Sequence, residues 1–141
     1  MKKFLTTKVI ITVVIVLLVC AVAIWGILGL KNSIKSSVQN GKLVDEVNAE
    51  IDTNKVSLTQ SQFNTLASKL HTAMNGMGTD EDSIYDAFKT INSRSDLLQL
   101  IKTFGVKDGE TLKEWLYDDL SSSDIQHINE ILASKNINYA F

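Results

Sequence analysis

Apolar and polar residues divide this chain into three regimes. The first, Val9 to Leu30, is 22 residues without a charge, broken only by Thr12, Gly26 and Gly29. As a helix rising about 1.5 Å per residue it spans roughly 30 Å, the thickness of a bilayer's hydrocarbon core. The second, residues 31–56, is polar. Leu43, Val47 and Ile51 recur there at helical spacing, which predicts a partly helical linker or stalk with no core of its own. The third, residues 57–136, repeats an apolar stripe of helical period five times. The stripes are Phe63, Leu66, Leu70, Ala73 and Met74; Ile84, Ala87, Phe88 and Ile91; Leu97, Leu98, Ile101 and Phe104; Leu112, Trp115, Leu116 and Leu120; and Ile125, Ile128, Ile131 and Leu132. The pattern predicts an all-α domain of five helices with a small core. A tail, residues 137–141, alternates apolar and polar residues and either folds back onto the domain or meets a partner.

The breaks between stripes carry stop and start signals. Asn75-Gly76 closes the first helix and Gly105 the third. Thr79 with Asp82, and Ser123 with Gln126, have capping-box spacing before the second and fifth helices. Ser93 or Ser95 can cap the third, and Asp108-Gly109 marks a turn before the fourth.

The N-terminal run reads in two ways. Ala21-Val22-Ala23 has the form of a signal-peptide cleavage site, and cleavage there would give a secreted domain. The apolar run continues seven residues past Ala23, and Trp25 stands where an interfacial aromatic would lie, which favours an uncleaved, single-pass membrane anchor over 9–30. Lys2, Lys3 and Lys8 make residues 1–8 basic. Lys31, Lys35 and Lys42 follow the span together with Asp45, Glu46 and Glu50, a bias that favours an extracytoplasmic C-terminal domain.

Charge narrows the partners. The chain carries −2 overall, but three of its 14 basic residues precede the span, leaving 11 against all 16 acids, a balance of −5. Such a domain repels nucleic-acid phosphates and, without a bridging divalent cation, anionic headgroups. Cys20 is the sole cysteine and lies within the span, so neither an intrachain disulfide nor a cysteine metal site is possible.

Candidate chemistry concentrates in Gly76-Met77-Gly78-Thr79-Asp80-Glu81-Asp82. Two glycines one residue apart can turn carbonyls inward, and carbonyls beside carboxylates are the ligands a hard cation such as Ca²⁺ prefers. The same residues can equally be a tight turn and a helix start, with the acids set against the positive helix end. Other constellations carry less. His71 and His127 read as surface residues, and His127 with Glu130 lacks a third zinc ligand. Asp80-x-Asp82 lacks the downstream Gly and Glu of an EF-hand loop. There is no nucleophile-elbow, triad or phosphate-loop signature, and no sign of two carboxylates across a cleft, so neither an enzyme nor a small-molecule substrate is expected.

The order of these signals resembles one repeat of the annexin family. Ala73-Met74-Asn75-Gly76-Met77-Gly78-Thr79-Asp80-Glu81 is similar to the family's Ala-Met-x-Gly-x-Gly-Thr-Asp-Glu, and Ser83-Ile84 follows as it often does there. Asn92-Ser93-Arg94-Ser95 matches an Arg-Ser/Thr-containing turn. Leu116-Tyr117-Asp118-Asp119-Leu120-Ser121 resembles the Leu-x-x-Glu-Leu-Ser/Thr that ends the fourth helix. The resemblance runs from about Thr59 to Leu132. It implies a five-helix repeat that binds Ca²⁺ through the carbonyls of Met74, Gly76 and Gly78 and the carboxylate of Asp119. Open positions on the ion would take water and phospholipid headgroup oxygens, and Met77 at the loop tip would touch the membrane. Asp119 stands where the family usually has Glu, and the segment from Phe104 to Leu112 is about one residue longer than the family pattern, which makes Asp118 a competing ligand. The chain also departs from the family in having one repeat and an anchor.

A set of three carbonyls and one carboxylate has low formal charge, which places its affinity near 10⁻⁴–10⁻³ M, roughly the range of extracellular calcium modules. Two functions follow as expectations. One is a membrane-anchored module binding calcium and, through it, phospholipid. The other is a calcium-independent structural protein of a cell envelope or a membrane-containing particle such as a virion, with the helical repeat as a docking domain for a protein partner or a second copy.

Overall fold

The structure, a computed structural model, describes residues 39–141. The basic segment 1–8, the apolar span 9–30 and its possible cleavage site lie outside the described residues. No described helix is long and apolar enough to cross a membrane. The described part is all-α in character. Helix α1 covers 39–50, and a short 3₁₀ turn follows at Thr53–Lys55. Then come α2 (Gln60–Met74), α3 (Glu81–Thr90), α4 (Arg94–Phe104), α5 (Leu112–Asp119) and α6 (Ser122–Ser134). Between α4 and α5 a minimal antiparallel hairpin pairs β1 (Val106–Lys107) with β2 (Glu110–Thr111) around the Asp108-Gly109 turn.

The stripes read from the sequence are the core. Every residue named in the first, second, third and fifth stripes is buried, as are Leu112, Leu116 and Leu120 of the fourth. Trp115 is the exception: it is only partly buried, and its indole N–H donates to Lys107 O at 3.1 Å. Helix α2 packs against both α3 and α4, and α3 packs against α6. The tail folds back. Ile137 and Phe141 are buried, and the Phe141 ring meets that of Phe88 edge-on at 5.4 Å.

Two of the expected caps sit elsewhere. Helix α3 is capped by Asp80, whose carboxylate accepts the Ser83 N–H at 3.0 Å, and not by Thr79. Helix α6 is capped by Ser121 in a box with Asp124, two residues before Ser123. The reason is local. At α6, Ser121 has the extended backbone a cap favours (φ −71°, ψ 162°) just after α5 ends. Ser93 caps α4 as expected. Capping boxes Thr59/Gln62 and Thr111/Glu114 open α2 and α5. Gly105 ends α4 at φ 65°, ψ −138°, a region closed to residues with a Cβ, and an added Cβ would lie 2.9 Å from Asn40 Oδ1.

The segment expected to be a partly helical linker or stalk joins the domain. Residues Ser36–Phe141 form one compact unit. Val47 of α1 is buried in the core, and Leu43, Ile51 and Val56 pack against it. The polar attachments centre on the N-terminus of α4. Asp96 is fully buried. Its Oδ1 accepts the Ser57 N–H at 2.7 Å, and its Oδ2 accepts the Ser57 hydroxyl at 2.7 Å and the Asn92 N–H at 3.2 Å. Beside it, Ser95 Oγ accepts the Asp52 N–H at 3.1 Å and Ser93 Oγ donates to Lys55 O at 2.7 Å. Arg94 also pairs with Glu50 at the end of α1. Asp96→Ala leaves the three donors of these part-buried hydrogen bonds, two on Ser57 and one on Asn92, without their acceptor. It is expected to cost about 3 kcal/mol or more, read as a lowered urea midpoint of the 36–141 fragment at an unchanged slope.

Candidate functional site

The loop between α2 and α3 is built by its ends. The Asn75 N–H donates to His71 O at 2.8 Å and closes α2. The Asp80 N–H donates back to Ala73 O at 3.0 Å, which pins the base of the loop and consumes none of the carbonyls of Met74, Gly76 and Gly78. Gly78 has φ 95°, a left-handed conformation that a side chain rarely adopts. The turn brings the Gly78 carbonyl oxygen to 3.7 Å from where a Cβ on Gly76 would sit, so the loop curls back on itself. Met74 is buried, whereas Met77 at the tip is as exposed as a free residue, at 108%.

Thr79 joins this loop to α5. Its hydroxyl, which is not used for capping, donates to the carbonyl oxygen of Asp119 at 3.4 Å, across 40 residues of sequence. The loop and the last residue of α5 therefore share one end of the domain. Asp119 is half-buried there, and its Oδ2 is fully enclosed without a hydrogen-bond donor from the protein. Burial, and then the negative charge of Asp118, raise its carboxyl above the ordinary aspartate value. Asp118 lies on the outer face of α5, exposed, lining an open groove with Glu110, Lys113 and Tyr117.

Of the residues singled out from sequence, Met74 ends α2, Gly76, Met77 and Gly78 lie in the loop that follows it, and Asp119 lies at the helix end the loop touches. The Thr79 hydroxyl is a link that sequence reading did not assign. The only signal for it is a Thr freed from capping because Asp80 takes that role.

The histidines differ from expectation in one case. His71, in the last turn of α2, is half-buried, with its ring edge-on to Trp115 at 5.2 Å and to Phe104 at 6.3 Å and its Nε2 3.7 Å from Asp108 Oδ2. It reads as surface in sequence because a single histidine carries no periodic signal. His127 is exposed, as expected, beside Glu130 at 3.9 Å, and its ring meets Tyr85 at 4.5 Å. The Tyr85 hydroxyl donates to Asp124 at 2.7 Å, and that bond pushes the phenol up to about 12.

Among the described residues no three His, Cys, Asp or Glu side chains cluster. A cation at this end of the domain would draw most of its ligands from backbone carbonyls. The donor types fit a hard ion: neutral oxygens plus one enclosed carboxylate lacking a partner. In comparisons with known proteins, no family model, no curated protein and no solved structure matches this chain.

An enclosed carboxylate without a partner costs stability when ionised. Because its folded pKa is raised, Asp119 favours the fold in its protonated form, and that contribution is lost as pH rises through the raised value. Asp119→Asn is expected to raise the calcium-free melting temperature by a few degrees at neutral pH. The gain should shrink on acidification, where native Asp119 is already protonated. Thermal scans of both proteins across pH check this.

Proposed function

We propose that this chain is a membrane-anchored module of annexin-like fold that binds Ca²⁺ and, through it, phospholipid headgroups. The observation that carries the reading is the enclosed, unpartnered Oδ2 of Asp119 at the helix end that Thr79 holds to the glycine loop. The resemblance over about Thr59–Leu132 supports it, as does the agreement of five helices with the order that the resemblance implies. Met74, Gly76 and Gly78 would offer carbonyls and Asp119 its carboxylate. The ion would neutralise that buried charge and link an acidic domain to headgroup phosphates that otherwise repel it. Met77 would add an apolar contact beside the ion. A single-pass anchor over 9–30 with an extracytoplasmic domain suits a weak site, since millimolar calcium is found outside the cytosol and tethering raises the effective concentration of lipid.

A docking domain needs an apolar face that a single repeat leaves uncovered. Among the described residues the exposed large hydrophobics are Met77 and Tyr117. That supplies a tip and an isolated ring, not a face for a second repeat.

Calorimetry and thermal scans of the 36–141 fragment test the proposal. With a dissociation constant near 10⁻³ M, 10 mM calcium is expected to stabilise the fold by about 1.4 kcal/mol. That is a rise of roughly 5–10 °C in melting temperature. Asp119→Ala should abolish the rise and Asp118→Ala should leave most of it. Absence of calcium heat at millimolar concentration, or an Asp119→Ala protein with unchanged affinity, overturns the reading. Binding should also weaken on mild acidification, because the ion must displace a proton that Asp119 holds more tightly than an ordinary aspartate.

A further inference from the structure

Met77 and Met74 are three residues apart and occupy opposite environments. Met74 is 3% exposed and its side chain belongs to the core. Met77 is 108% exposed, between two glycines that place no side chain beside it. The loop is pinned below it by the Asp80 N–H bond to Ala73 O, so the exposed position is held out by the backbone. A fully exposed thioether has no packing role in the domain. It is open to two kinds of encounter: an apolar surface, and an oxidant.

We propose that Met77 is an oxidation-sensitive site, converted to the sulfoxide by hydroperoxides, and that this conversion switches off the loop's contact with lipid. The second part rests on the lipid-binding reading above. In the reaction a sulfur lone pair attacks one peroxide oxygen. The S–O bond forms as the O–O bond breaks, sulfur loses two electrons, and the departing oxygen takes the proton and leaves as water or an alcohol. The product is polar and chiral where the thioether was apolar. A sulfoxide at the tip gives up the transfer of an apolar group into the acyl boundary, so apparent vesicle affinity should fall by roughly tenfold. The ion's own ligands are a carboxylate and backbone carbonyls, so calcium binding in the absence of lipid should stay unchanged. Met74 is the internal control, because enclosure shields its sulfur from the same oxidant.

The experiment treats the full chain, reconstituted in phosphatidylcholine vesicles, with limiting hydrogen peroxide. Fragment-ion mass spectrometry of the tryptic peptide 70–89, which holds both methionines, follows each site. Capture of free phosphatidylserine vesicles is then measured with millimolar calcium, before and after oxidation, and for Met77→Leu and Met77→Gln. Expected are oxidation of Met77 well ahead of Met74 and loss of capture on oxidation. Met77→Gln should reproduce that loss, and Met77→Leu should keep capture through the same treatment. Equal oxidation of the two methionines overturns the site assignment. Capture that survives complete oxidation of Met77 overturns the switch alone. No capture before oxidation, with calcium present, overturns the lipid reading and the switch with it.

Discussion

The fold depends on one buried carboxylate. Asp96 sits in the first turn of α4, where the helix end favours negative charge, and spends both oxygens on groups from other segments. A buried anion is tolerated only when it is fully hydrogen-bonded. Ser57 and Asn92 meet that demand, and in doing so they fix where the chain enters α2 and where it leaves α3. Ser93 and Ser95 extend the same junction to Lys55 and Asp52. The apolar stripes decide that helices associate. This polar node decides which ends meet, and through it α1 becomes part of the domain.

The opposite situation holds at the end formed by α2 and α5. Among the described residues, the buried side-chain polar atoms without a hydrogen-bond partner are His71 Nε2 and Asp119 Oδ2. One belongs to the last turn of α2 and the other to the last residue of α5. The most exposed hydrophobic side chain, Met77, lies on the loop that follows α2. Unmet polar groups and a bare apolar tip are local violations of the rules that the remainder of the domain obeys.

Much of this was legible in the sequence, for a definable reason. Burial of the helix faces follows a period of 3.6 residues, and a period can be read without knowing what lies opposite. Hence Phe63 to Met74, or Ile125 to Leu132, are found in the core as expected. Attachments made by polar residues have no such period. Ser93 and Ser95 were legible as cap candidates and not as partners of Lys55 and Asp52, and so residues 31–56 looked like a stalk. Caps slipped by one or two residues because Ser, Thr and Asp stand in runs at Thr79–Asp82 and Ser121–Asp124, and backbone angles choose among them. The glycine loop was visible locally. Its link to Asp119 spans 40 residues, and only the resemblance pointed across that distance.

The junction at α4 has a mechanical meaning. A pull on the chain ahead of α1 reaches the domain first through α1 itself, by Val47 in the core and Glu50 on Arg94, and then through Ser93, Ser95 and Asp96 at Lys55, Asp52 and Ser57. The contacts that take up such tension, at α1 and at the start of α4, precede α2 and its glycine loop along the chain or brace the segment that leads into them.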